Sequence, residues 1–280
     1  MPLKVPSALC CMNKTVKNRR GGAFLEREKR REREWNENQL EGRNAVLEVL
    51  RSGRDIEKIM VQKGNVEGTI KRIVAQAAEK GVVIQEVSRQ KLDELSQTKN
   101  HQGVIALVSA HDYVEVEDIL AAARAKGEDP FIILLDGITD PHNLGAILRT
   151  AECAGAHGVI IPKRRSVGLN ATVGKTSAGA IEYMPVAKVT NLVKTMEQLK
   201  KEGLWFACAD MGENDHFDTN LKGPIGLVIG SEGEGVSRLV KENCDFTASI
   251  PMYGKISSLN ASVAAALLMY EVVRQRNYSK

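Results

Sequence analysis

The feature that most constrains this chain is a rhythm of short apolar runs in its second half. FIILLD (131–136), GVIIP (158–162), WFACAD (205–210), IGLVIG (225–230) and FTASIP (246–251) alternate with stretches of helical spacing. Runs this short, apolar at nearly every position, are what strands buried on both faces require. Strands alternating with helices build a parallel sheet covered on two sides. The expectation is therefore an α/β fold with a parallel sheet over 130–280.

A smaller α/β unit is expected before it. GRNAVLEVLRSG (42–53) has the period of an amphipathic helix, with Val46, Leu47 and Leu50 inward and Gly53 as its stop. IEKIMV (56–61), VVIQEV (82–87) and GVIALV (103–108) read as strands, and 66–81 and RQKLDEL (89–95) as helices. The segment 111–129, with the helical pattern EDILAAARAK and the turn-like GEDP, reads as a linker. A length of 280 residues favours two domains over one, here 36–110 and 130–280.

Charge is concentrated at the start. Residues 1–35 carry ten Lys and Arg against four Glu, in a chain whose net charge is +4. This segment reads as a flexible basic tail that seeks a polyanion, or equally as a solvated extension. The longest apolar run, 263–270, is far below the roughly 18 residues of a membrane span, so no membrane partner is expected. The start lacks the apolar stretch of a secretory signal, and a cytoplasmic protein is the expectation. Five cysteines without a CxxC pair offer neither a disulfide framework nor a structural zinc site, and no metal is expected.

Three polar clusters stand out. The first, Asp136-Gly-Ile-Thr-Asp-Pro-His-Asn143-Leu-Gly-Ala-Ile-Leu-Arg149, follows strand FIILLD. Asp140-Pro141 reads as a turn and 144–154 as a helix, which puts Asn143 and Arg149 just past a strand's carboxyl end. Open parallel sheets bind ligands there. Taken alone, a capping Asn and a surface Arg would explain both residues.

The second cluster, Gly230-Ser-Glu232-Gly-Glu234-Gly235, is spaced G-x-x-G-x-G with no lysine after it. A pyrophosphate loop has another glycine order, and two glutamates would repel a pyrophosphate. This disfavours a nucleotide-dependent oxidoreductase and suits a neutral or cationic ligand. The third, Ile250-Pro-Met-Tyr-Gly-Lys-Ile-Ser257-Ser258-Leu259-Asn260, leads into an apolar helix over 261–274. Helix capping accounts for one of its polar residues and leaves the rest unexplained.

Together, in this order and spacing, the clusters resemble the SpoU or TrmH family of RNA ribose 2′-O-methyltransferases over roughly 131–276. The preceding region, 41–108, resembles the small ribosomal-protein-like RNA-binding domain of the family's large-subunit rRNA enzymes. The resemblance implies a knotted (trefoil, SPOUT-type) catalytic domain, S-adenosylmethionine (AdoMet) as methyl donor and a ribose 2′-hydroxyl of RNA as acceptor. Carried over position by position, Gly230, Ile250 and Leu259 match the cofactor contacts. Asn143, Arg149, Glu232, Ser258 and Asn260 match the catalytic polar set.

The family is usually described with its motif arginine, here Arg149, as a base. A guanidinium stays protonated, so stabilising the developing alkoxide is the easier role, with Arg149 fixed by Asn143 or Glu232 and a substrate phosphate. Lys163, Arg164 and Arg165, just after strand GVIIP, are the expected RNA-binding loop. Asn100, His101 and Gln102 form a weaker RNA-contact candidate. The helix over 261–274 is apolar nearly all round at 263–269, so burial in the core or against a partner is expected, and the resemblance favours a homodimer. The favoured substrate is a guanosine of 23S rRNA in the peptidyl-transferase region. The alternatives are tRNA as substrate, or a non-catalytic ribosome-associated RNA-binding factor, against which the intact Asn143, Arg149, Glu232 and Asn260 argue.

Overall fold

The computed structural model describes residues 38–52, 54–64, 68–212 and 215–278, so the tail expected at 1–35 and the stop at Gly53 lie outside the described residues. The first sheet comprises β1 (Gln39–Glu41), β2 (Ile56–Gln62), β3 (Ile84–Val87) and β4 (Val104–Val108) in the order β1-β4-β2-β3. β4 runs antiparallel to β1 and β2, and β2 runs parallel to β3. Side-chain alternation divides β2 between two faces. Ile59 and Val61 meet α1 (Arg43–Ser52) and α2 (Thr69–Glu79), whereas Met60 meets Leu92 of α3 (Arg89–Leu95).

The second sheet is parallel throughout. Its strands β5 (Phe131–Asp136), β6 (Gly158–Pro162), β7 (Val186–Val189), β8 (Trp205–Ala209), β9 (Ile225–Gly230) and β10 (Phe246–Ala248) lie in the order β10-β8-β9-β5-β6-β7. Phe131, Ile133 and Leu135 face one layer, with Leu144, Ile147 and Leu148 of α5 (Pro141–Cys153) and Leu268, Met269 and Val272 of the C-terminal helix. Ile132 and Leu134 face the other, with Met196 and Leu199 of α7 (Leu192–Lys201). Burial on both sides is why these runs are apolar without alternation.

Several local expectations change. β7 was not foreseen, because Pro185 and Lys188 interrupt its apolar pattern. β10 stops at Ala248 instead of reaching Pro251, since the Ser249 carbonyl accepts the His216 N–H at 2.9 Å and proline has no N–H to give a ladder. The helical pattern expected within the linker forms α4 (Val116–Lys126), and it is a packed layer: Ile119 and Leu120 are buried against Ile132 and Leu134. Asp140-Pro141, expected as a turn, begins α5 instead. The Asp140 side chain accepts the His142 N–H at 2.9 Å, and Pro141 occupies the first helical position, where its missing N–H costs nothing.

Two shorter helices, α6 (Ala171–Thr176) and α8 (Arg238–Glu242), follow β6 and β9, and α9 (Ala261–Asn277) closes the chain. Within the chain itself, 263–269 is buried on one side only. Ala265, Leu268 and Met269 are buried, but Val263, Leu267 and Tyr270 are 47, 45 and 50% exposed along one face of α9. No helix among the described residues is long and apolar enough to cross a membrane.

Candidate active site

The site forms where β5 and β9, central neighbours in the sheet, reach their carboxyl ends. Past Gly230 the chain folds into a tight loop closed by Ser231 N–H to Gly235 O at 3.1 Å and Gly235 N–H to Ser231 O at 3.0 Å. A Cβ on Gly230 would lie 2.1 Å from the Gly235 carbonyl carbon, so loop closure itself demands glycine. The loop is tied to β5 by the Ser237 N–H, which donates to Asp136 Oδ2 at 2.8 Å.

Glu232, at the loop's tip, turns toward the two other clusters. Its Oε1 accepts Asn143 Nδ2 at 2.8 Å, Asn260 Nδ2, and the Ala261 N–H at 3.4 Å. Asn260 Nδ2 also donates to Asn143 Oδ1 at 2.9 Å. Asn260 Oδ1 meanwhile accepts the Ser262 and Val263 N–H groups, so this residue both caps α9 and joins the cluster. Asn143 is buried in the first turn of α5, which is pressed onto α6: a Cβ on Gly145 would lie 1.9 Å from Thr176 Oγ1.

Beside the cluster lies a cleft of about 380 Å³, within the range of roughly 300–1,000 Å³ typical of small-ligand sites. Gly230, Ile250 and Leu259 all line it, as does Ser258, which is exposed. Ile229, Ala248 and Ala264 add apolar wall, and Glu232, Glu234 and Asp210 add carboxylates. The carboxylate Asp210, which forms an ion pair with Lys241, was missed by sequence reasoning. Its place at the end of WFACAD, a strand's carboxyl terminus, was the available signal.

Other expected site residues lie apart. Arg149 is exposed, and its side chain has no hydrogen bond or ion pair with another described residue, so it is not fixed by Asn143 or Glu232. Six residues along a helix turn the side chain roughly 120° away, and Asn143 and Glu232 are occupied by each other and by Asn260. Arg164 and Arg165 are exposed, while the half-buried Lys163 lines a different cavity. His101 is a buried structural residue: its Nε2 meets Asp93 Oδ1 at 2.9 Å and its Nδ1 accepts the Gly103 N–H at 3.0 Å. That leaves its ring no face for RNA, and neighbouring Gln102 is engaged by Arg43.

Residues 130–270 match the SpoU rRNA Methylase family. The chain belongs to this family. Residues 39–114 match a second family, the RNA 2′-O ribose methyltransferase substrate binding domain. A Bacillus subtilis protein, YacO, assigned to the TrmH family of tRNA/rRNA methyltransferases, is 52% identical over 238 residues, spanning 84% of this chain and 95% of its own length. A Staphylococcus saprophyticus protein with the same family assignment is 48% identical over 238 residues, 85% of this chain and 95% of its own. Among solved structures, the SpoU methyltransferase AviRb from Streptomyces viridochromogenes superposes with a TM-score of 0.54 at 25% identity, covering 85% of this chain and 89% of AviRb. AviRb has also been solved in complex with AdoMet. This SpoU-family chain thus carries its three polar clusters inside the family's methylase region, and the first sheet inside its substrate-binding region.

Proposed function

We propose that the chain is an AdoMet-dependent RNA ribose 2′-O-methyltransferase acting on a guanosine of 23S rRNA in the peptidyl-transferase region. The observation that carries this reading is the convergence of Asn143, Glu232 and Asn260 into one hydrogen-bonded cluster at the mouth of the cleft.

The cleft fits AdoMet in its chemistry. Apolar walls from Ile229, Ile250 and Leu259 suit an adenine, and Glu232 and Glu234 suit a positive charge. When bound, AdoMet supplies an electrophilic methyl group on a sulfonium. The protein's share is alignment and help with the hydroxyl proton. Glu232, held by three N–H donors, fixes the loop that walls the cleft, and Asn143 and Asn260 lock that wall to α5 and α9. Arg149 lies apart from the cleft of its own chain and has no ion-pair partner among the described residues. It is assigned on the family resemblance to a substrate phosphate and the forming alkoxide, where a guanidinium stabilises charge while the hydroxyl proton passes to solvent. Ser258, at the cleft wall, is assigned to the same polar set.

The same reading takes 36–110 as the RNA substrate-binding domain, 111–129 as the connection and 130–280 as a knotted methyltransferase domain. Homodimerisation is supported by the exposed apolar face of α9 at Val263, Leu267 and Tyr270. A cytoplasmic location follows from an RNA substrate.

Mapping 2′-O-methyl positions by chemical sequencing in a strain lacking the gene tests the substrate. Loss of one guanosine mark in 23S rRNA is expected. A lost tRNA mark with intact rRNA would establish tRNA as the substrate and overturn the choice.

A further inference from the structure

A second cavity, of about 290 Å³, opens between the first sheet and the carboxyl edge of the second. Its floor is a clamp joining the two sheets. Glu57 of β2 pairs with Lys188 of β7, their side chains only 14 and 12% exposed, and the Tyr113 hydroxyl donates to the same carboxylate. The Lys188 ammonium also lies 4.7 Å above the Tyr113 ring, and the Leu169 N–H donates to the Tyr113 oxygen at 2.9 Å. Burial and the Glu57 carboxylate push the Tyr113 phenol far above its ordinary range, so it remains a donor. A Cβ on Gly168 would lie 1.9 Å from the Glu57 carboxylate, so the clamp occupies space that only glycine leaves. A floor built this way is preformed before any ligand arrives.

Around it stand Arg54, Lys80 and Lys163, which form no ion pair among the described residues. Among the described residues, Lys80 Nζ donates to the Leu50 carbonyl. Opposing them are Asp55, whose carboxylate accepts the Tyr113 N–H at 3.4 Å, and Glu115. With Glu57 and Lys188 neutralising each other, the lining keeps a positive excess. Two lysines and an arginine converging on a small polar cavity suit a tetrahedral oxyanion.

Position narrows the source of that anion. Lys163 follows β6 and Lys188 lies on β7, one and two strands from β5, whose end leads to Asn143. At about 4.8 Å per strand, the cavity and the cleft face the same edge within a few nucleotides' reach. We propose that this cavity holds one backbone phosphodiester of the RNA substrate, gripped from both sheets at a fixed offset from the ribose to be methylated. The assignment rests on the RNA-methyltransferase reading above. Exposed Arg164 and Arg165 continue the basic loop beyond the cavity.

The test is a Lys80→Gln/Lys163→Gln double variant of the full chain, titrated into a fluorescent 23S rRNA fragment at several salt concentrations. RNA affinity is expected to fall about tenfold, with the log K against log salt slope shallower by about one or two. Melting temperature and AdoMet affinity should stay at wild-type values, which separates lost contacts from lost folding. Unchanged affinity and slope overturn the assignment. Inorganic phosphate stabilising the wild type alone, with RNA affinity equal in both, would make this a free-anion site and also overturn it. Should the wild type methylate no RNA while the variant still loses affinity, the phosphate site stands and the catalytic reading falls.

Discussion

Asn260 donates from Nδ2 to Asn143 Oδ1 at 2.9 Å, joining residues 117 positions apart in the chain. The same Asn260 accepts the first amides of α9 through Oδ1, so one side chain sets a helix start and a site wall together. These two duties separate by mutation. Asn260→Ala should lose about 1 kcal/mol of stability through the cap and about a hundredfold in turnover. Asn260→Ser restores a capping oxygen but cannot span to Asn143 and Glu232. Thermal melts near wild type with turnover still low are expected; turnover recovering with the melt would show that only the cap matters.

Arg149 is exposed and unpaired with other described residues, so removing it should disturb neither fold nor cleft. Arg149→Ala is expected to keep the wild-type melting temperature and AdoMet affinity while turnover falls about 10²- to 10³-fold. Arg149→Lys retains a charge but not the planar fork, and should remain well below wild type. Near-normal turnover of the Lys variant across pH would contradict a guanidinium-specific role, and lost AdoMet binding would move Arg149 to the cofactor set.

α5 packs against α6 at Gly145, and Gly145→Ala would drive a Cβ to 1.9 Å from Thr176 Oγ1. The helices must separate, at about 1–3 kcal/mol, and Asn143 two residues earlier must move with α5. Urea midpoints and turnover should both fall, and adding Thr176→Ala should recover part of each. An unaffected midpoint would show that the contact relaxes freely.

Glu41 fastens β1 to the turn after α3. Partial burial raises its pKa, but hydrogen bonds from Thr98, the Gln97 N–H, Ser96 and Gln39 outweigh this and hold it near about 2. A depressed folded-state value means the stabilisation is complete above the ordinary value of 4.5 and is lost as pH falls from there toward 2. At pH 7, Glu41→Gln should cost about 1–2 kcal/mol after allowance for solvent screening. Denaturant midpoints of the two proteins should converge below pH 3. A constant gap down to pH 2 would contradict the assignment.

The strands whose bounds were most legible in sequence were those buried on both faces: β5, β6 and β9 match their apolar runs end to end. β7 escaped because an edge strand needs less apolar content and carries Lys188 into the Glu57 clamp. At the site, glycine spacing and strand-end position sufficed to select Asn143, Glu232 and Asn260, but not their partners. Whether Arg149 or Asn260 meets Glu232 depends on helix phase and on three segments converging. The Glu57–Lys188 pair, 131 residues apart, had no local signal at all.

Methyl transfer to a ribose is the reaction assigned to the Asn143–Glu232–Asn260 site. Purified protein incubated with AdoMet carrying a tritiated methyl group, and with RNA from a strain lacking the gene, tests it once the RNA is digested to nucleosides. Label is expected in 2′-O-methylguanosine released from 23S rRNA, and its loss with Asn143→Ala. Label on a base, or no label in any RNA, would contradict it.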